Sequence, residues 1–475
     1  MKTRGPFHRA ARAVARRALR KAAQRLPPSG ELKPETWRLE RDPEGRLTLD
    51  GVVIAELTER IGSPLHVVDA VRLRENAARF THCPSAHGQT QIFYSYKTNP
   101  VPGVLAALHA AGVGAECSSA FELWLARTLG VPAERTVFNC PVKPGEALRD
   151  AIDRELQLIV VNSRHELPEL VRIAKQLGKR PRIAIRVAVP MTETSNFGER
   201  IDDGSALQTF NEALQRPELD VVGVHAHFNG AIETASELQA FVGAILDFCS
   251  TLRARLRLDL KVIDLGGNLV CPTVKQLSPV AARVQMALGR EAPPRAAGEG
   301  VLAIDEYIAT ATSMIEAHSR REGVAMPRVF FEPGRSMTAN AQALLLGVVQ
   351  VRKPDETGLA TVMLDGGLNV ADPLRIERHQ IFAATARPGA DVRHYRLIGP
   401  TSTAADIVAP SVMLPRLEPG DVIAVMDSGA YFIPFSTTFS YPRPGVVMLD
   451  RGTTTLLRRP ETFEDLVALD RLEAA

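Results

Sequence analysis

Between Gln91 and Glu332 the sequence repeats one pattern eight times: a short apolar run, then a longer stretch with helical periodicity. The runs are Gln91 to Tyr96, Val113 to Cys117, Thr136 to Cys140, Leu158 to Asn162, Arg182 to Val187, Val221 to Phe228, Lys261 to Leu265 and Arg328 to Glu332. A strand apolar on both faces has to be covered on both faces, and a helix-length crossover makes consecutive strands parallel. Eight such units are what a closed (β/α)8 barrel of the TIM type needs, and that is the predicted fold. An open doubly wound sheet is the competing architecture.

The barrel carries a test within the sequence, because functional side chains of such barrels collect at the C-terminal strand ends. Those ends carry Lys97, Glu116, Asn139, Asn162, Arg186, His225 with His227, Gly266-Gly267-Asn268 and Glu332-Pro333-Gly334-Arg335. Lys97 stands out. The run Gln91-Ile92-Phe93-Tyr94 delivers it to a strand end, Thr98-Asn99-Pro100 breaks the strand, and Val101 to Ala111 starts a helical pattern. Shielded by aromatic neighbours, its amine is expected to lose solvation and fall in pKa, so that the neutral form condenses with an aldehyde to a Schiff base. A lone lysine there would more simply snorkel to solvent. The polar series at the other strand ends favours chemistry.

At 475 residues the chain is too long for one ordinary core. After Arg335 the helical rhythm stops, and β-rich runs separated by Pro and Gly follow: Ala343 to Val351, Ala360 to Leu364, Val392 to Ile398, Asp421 to Met426, Val446 to Leu449 and Thr454 to Arg458. They predict a mostly antiparallel second domain. Ahead of the barrel, two β candidates, Leu47 to Ile54 and Leu65 to Val68, flank a helix over Ala55 to Ile61 that Gly62-Ser63-Pro64 ends. The expected organisation is a basic extension over 1–30, an adaptor packing with the β-domain over 31–66, the barrel over 67–335 and the β-domain over 336–475. Pro293 to Gly298 reads as a loop inserted in the last crossover.

An apolar fraction of 45% makes a folded soluble protein the expectation, with no run long enough to span a bilayer and no secretory signal peptide. Five cysteines, an odd number without paired metal spacing, suit a reducing cytoplasm and suggest no metal site. Charge is unevenly placed. Residues 1–26 hold nine Lys and Arg and no acid, while the remainder is mildly acidic. On a helix, Val14, Ala18, Ala22 and Leu26 would form a weak apolar stripe between arginine faces. Such a segment suits an acidic partner protein, a membrane surface, nucleic acid or a transit role; a frayed solvated extension is the plain alternative. The expected contact is with an acidic partner protein, not with nucleic acid.

Taken together, the strand-end residues describe a pyridoxal phosphate site. Glu332 can hydrogen-bond a protonated pyridine nitrogen, Arg335 can grip a substrate carboxylate or a phosphate, and the Gly266-Gly267 pair lets backbone amides approach a phosphate. His227 can lie against the ring, and Arg186, inside an apolar strand, needs an anionic or oxygen partner that a cofactor phenolate would supply. A local ion pair, a glycine turn and a structural histidine are the bland alternatives for the same residues.

At this level the sequence resembles the fold-type III pyridoxal phosphate decarboxylases, which include the ornithine and diaminopimelate decarboxylases. The resemblance rests on Tyr94-Ser95-Tyr96-Lys97-Thr98-Asn99-Pro100, Gly223-Val224-His225-Ala226-His227-Phe228, Asp264-Leu265-Gly266-Gly267, Glu332-Pro333-Gly334-Arg335, Gly399-Pro400-Thr401-Ser402 and Asp427-Ser428-Gly429-Ala430-Tyr431. It runs from about Gly51 nearly to the end. It implies an alanine racemase-like architecture and a homodimer whose shared active sites join one barrel to the partner's C-terminal domain. It implies that Lys97 carries the cofactor as an imine, that His227 stacks on the ring, and that an external aldimine loses the α-carboxylate. Glu116, Arg186, Gly266, Gly267, Asn268, Glu332, Gly334, Arg335 and Tyr431 complete the implied cofactor set. Arg335, Asp372, Ser402, Thr403 and Tyr431 make the implied substrate set, with Ser402 as a catalytic position beside Lys97 and His227.

The departures concern the substrate. Ser402-Thr403 stands where the family shows Cys followed by an acid, and a serine is a far weaker acid than a thiol. Asp372, in Asp372-Pro373-Leu374-Arg375-Ile376, replaces the arginine of the diaminopimelate decarboxylase Arg-Pro-Ala-Leu-Tyr segment, which argues against meso-diaminopimelate. Asp372 could instead meet a cationic end. Asn268 replaces a third glycine, and Asn229-Gly230 replaces a phosphate-binding Gly-Ser. The expected function is decarboxylation of an amino acid or amino-acid conjugate, free or carrier-linked, in a specialised biosynthetic pathway. An ornithine- or lysine-type decarboxylase (L or D), a racemase and a non-catalytic pyridoxal phosphate-binding pseudoenzyme are the alternatives.

Overall fold

The computed structural model describes residues 32–83, 90–191, 196–228, 230–288, 300–354, 359–385 and 387–471. The basic segment, Asn229 and the Pro293 to Gly298 insertion lie outside them.

All eight apolar runs form strands: Thr90–Ser95, Gly114–Cys117, Thr136–Phe138, Leu158–Val161, Arg182–Ala188, Asp220–Ala226, Val262–Asp264 and Arg328–Phe331. Each pairs in parallel with the next, and Arg328–Phe331 pairs in parallel with Thr90–Ser95 to close the ring. The open sheet is thereby excluded. Alternate residues point inward, and Phe93, Val137, Leu158, Val160, Ala184, Val222, Val262 and Phe330 fill the cylinder, with the Phe93 and Phe330 rings 4.9 Å apart. The outward residues pack on the helices in the main core, which is why the strands read as continuously apolar.

In the second domain, Gln342–Val351 pairs antiparallel with Ala360–Leu364, with Val422–Val425 and with Leu65–Asp69. Leu65–Asp69 also runs parallel to Gly445–Asp450, so a strand that precedes the barrel in sequence sits in the sheet that follows it. The run Leu47 to Ile54 is two strands, Leu47–Leu49 and Val52–Val53, because Asp50-Gly51 turns with φ of 50° and 80°. An Asp-Gly pair with both residues left-handed is a tight hairpin turn. In this domain three described strands escape the sequence reading, Glu377–Arg378, Ile381–Ala383 and Ile407–Pro415, and outside it Leu39–Arg41, Glu199–Arg200 and Lys275–Gln276 do too. Pro410 makes Ile407–Pro415 look broken, but it is an edge strand, where a missing N–H is tolerated.

Trp37 Nε1 and Thr273 Oγ1 each donate to Asp427 Oδ1 at 2.8 Å. This buried carboxylate ties the N-terminal segment and a barrel loop to the Asp427–Tyr431 stretch. Tyr431 N in turn donates to Thr98 O at 2.8 Å, beside Lys97.

Candidate active site

Lys97 lies in the single turn Tyr96–Thr98 that follows the first barrel strand. Its Nζ is 3.6 Å from Glu116 Oε2 on the second strand, and Ser95 Oγ donates to the same oxygen at 2.5 Å. The expected fall in the lysine pKa is corrected here. Burial pulls it down, but Glu116, Tyr431, Glu332 and Glu122 together outweigh burial and hold the ammonium above its ordinary value.

Glu332 follows the eighth strand and is buried. It accepts from Asn139 Nδ2 at 3.2 Å, and His225 Nε2 stands 3.3 Å from it. Burial raises the pKa of both Glu332 and its neighbour Asp264, Asp264 the more strongly. Lys97 and Arg186 partly offset the effect of burial at Glu332. Burial, then Lys97 and Arg186, push His227 well below the ordinary histidine value and keep the ring neutral. Gly267 N donates to its Nδ1 at 3.3 Å.

The glycine pair has a packing reason. A Cβ on Gly266, whose φ is +62°, would sit 2.5 Å from His227 Nδ1, and one on Gly267 would collide with the Glu332 carbonyl oxygen. Only glycines allow His227 and Glu332 to come this close.

Lys97, His227, Asn268, Glu332, Gly334, Arg335 and Tyr431 line one cavity that opens to solvent. Gly266 and Gly267 lie behind it. Glu116 and Arg186 are not in its lining; Glu116 stands behind Lys97, and the Arg186 guanidinium lies 5.3 Å from the centre of the Phe197 ring. A wider cleft of about 840 Å³ opens at the other end of the barrel, but no lysine or histidine lines it among the described residues.

Three expected substrate residues are elsewhere. Ser402 and Thr403 are exposed and do not line the cavity, and Asp372 forms a local 2.6 Å ion pair with Arg375. Arg335 is at the cavity, but not as a free cation. Its guanidinium pairs with Glu377 at two points, 3.0 and 2.8 Å. Glu377, His379, Ser95 and Gln276 were not singled out from the sequence. The signal for the first two was the i, i+2 spacing of Glu377 and His379 in a segment too short and charged to read as a strand.

These residues fit pyridoxal phosphate. A carboxylate at the barrel axis, a neutral imidazole, a lysine and a tyrosine converge on the cavity, and Glu116 Oε1 is buried without a hydrogen-bond partner.

A barrel with this site defines the class of pyridoxal phosphate enzymes built on a parallel cylinder and a β-domain. Residues 73–339 match the family model described as pyridoxal-dependent decarboxylase, pyridoxal binding domain, and the chain belongs to that family. It is a pyridoxal phosphate-dependent amino-acid decarboxylase. The diaminopimelate decarboxylase of Methanocaldococcus jannaschii is 27% identical over 90% of this chain and 95% of its own. That of Aquifex aeolicus is 27% identical over 89% and 95%. In structure, the M. jannaschii diaminopimelate decarboxylase in complex with L-lysine superposes with a TM-score of 0.82 at 24% identity, covering 92% of this chain and 98% of that one. The lysine/ornithine decarboxylase of Vibrio vulnificus complexed with putrescine gives 0.67 at 20%, covering 84% and 98%. At these identities the two structures speak to fold alone.

Proposed function

We propose that the protein decarboxylates an amino acid or amino-acid conjugate in a specialised biosynthetic pathway, as a cytoplasmic homodimer. The single observation that carries the reading is the convergence of Lys97, His227, Glu332 and Tyr431 on one cavity at the barrel mouth. Pyridoxal phosphate, when bound, supplies an electron sink for the substrate α-carbon. Glu332 is placed to hold a proton on the ring nitrogen, since Asn139 and His225 fix its carboxylate at the barrel mouth. His227 offers an uncharged face, which adds no competing cation beside the ring. Lys97 anchors the cofactor and moves protons near the α-carbon, with Glu116 keeping its ammonium form available. The Gly334 and Asn268 backbone and Tyr431 are the groups that would receive the phosphate.

Ser402 and Thr403 reach a site only across a subunit boundary in this reading, which is why the homodimer belongs to it. A panel of free and conjugated amino acids scored for released carbon dioxide tests the function. Release from at least one, saturable and dependent on added pyridoxal phosphate, is expected; no release from any of them would overturn it.

A further inference from the structure

The cavity wall holds a cation that is already neutralised. Arg335 and Glu377 meet fork to fork, at 3.0 and 2.8 Å, with side chains only 15% and 4% exposed. The guanidinium carbon lies 5.1 Å from the centre of the Tyr431 ring, so the ring covers one face of the group. Glu377 is fixed in turn. His379 Nε2 stands 3.1 Å from Glu377 Oε2, and His379 Nδ1 stands 2.8 Å from Met426 O. The backbone is pinned as well, because Glu377–Arg378 pairs antiparallel with Lys275–Gln276, and Gln276 lines the same cavity. Burial pushes the Glu377 carboxyl up, but His379 and Arg335 more than offset it and hold it ionised.

Apart from Lys97, which the cofactor claims, Arg335 is the one Lys or Arg that lines the cavity among the described residues. We infer that Glu377 masks Arg335 and so sets the substrate class: amino acids whose far end is neutral or cationic, with a second carboxylate rejected. A distal carboxylate at Arg335 meets a guanidinium whose charge Glu377 already neutralises and stands beside the Glu377 carboxylate; taking the two-point face would displace Glu377 and leave it buried without its partner, a strongly unfavourable exchange. Glu377, not Asp372, is then the acid that decides, acting through Arg335 as a positioning residue.

The inference rests on the reading that amino acids bind in this cavity, and its test separates the two. Equilibrium binding of lysine and of meso-diaminopimelate to the holoenzyme is measured calorimetrically in wild type, Glu377→Gln and Glu377→Asp, alongside KM and kcat for carbon dioxide release. Wild type should bind lysine the more tightly. Glu377→Gln should improve binding of the dicarboxylate relative to lysine by tenfold or more, about 1.4 kcal/mol per tenfold, expressed in KM rather than kcat. Glu377→Asp, which keeps the charge, should stay near wild type and guards against a merely structural effect. A wild type that favours the dicarboxylate, or a ratio that Glu377→Gln leaves unmoved, overturns the masking role even when carbon dioxide is released. Binding without any carbon dioxide would instead count against the decarboxylase reading and leave the Glu377 comparison decisive.

Discussion

Lys97 Nζ and Glu116 Oε2 stand 3.6 Å apart at the ends of adjacent barrel strands, and the carboxylate is wholly buried. An ion pair in that setting favours the ammonium, so the amine that must react is reached only as pH rises. In Glu116→Gln the neutral amine becomes available at lower pH. The rising limb of pyridoxal phosphate uptake by apoprotein, followed by absorbance against pH, should move to lower pH than in wild type. An unmoved limb would show that Glu116 does not govern the lysine.

Asn139 and His225 hold the buried Glu332 carboxylate in place at the barrel mouth. Glu332→Gln keeps the shape and removes the charge. Carbon dioxide release should fall on the order of a hundredfold or more, the scale for losing one preorganised electrostatic contact, while pyridoxal phosphate is still taken up. Equal rates in the two proteins would remove Glu332 from catalysis.

His66 sits in the strand that joins the N-terminal segment to the second domain, 1% exposed. Its Nδ1 is 3.0 Å from Gln342 Nε2, and its Nε2 has no partner. Burial, with Arg458 nearby, lowers its pKa from 6.5 to about 3. The unfolded chain therefore binds a proton near pH 6.5 that the folded chain refuses until about pH 3. Stability from this group is complete above 6.5 and declines as pH falls through the window, by about 1.4 kcal/mol per pH unit. Urea unfolding between pH 7 and pH 4 should show that decline, and His66→Gln should remove one proton's share of the slope.

Much of the architecture was legible because burial on both faces leaves its mark in composition. The eight runs all form strands whose ends lie within two residues of where the pattern places them, with the lysine at the first strand end and the Glu332-Pro333-Gly334-Arg335 turn after the last. What escaped depended on partners distant in sequence. Glu377 looks like any charged residue after a short turn until the Lys275–Gln276 strand brings it against Arg335. The lysine pKa was misjudged for the same reason, since aromatic neighbours are visible in sequence and the buried acids around the amine are not. Ile407–Pro415 was missed because proline forbids a central strand and not an edge one.

The central claim is that the amine of Lys97 holds the cofactor on which decarboxylation depends. Purified protein is incubated with pyridoxal phosphate, reduced with borohydride and mapped by peptide mass spectrometry, with carbon dioxide release measured on the unreduced sample. The account predicts modification confined to the peptide containing Lys97, and loss of both the modification and the carbon dioxide in Lys97→Ala. Modification of a different lysine, or undiminished release by Lys97→Ala, would contradict it.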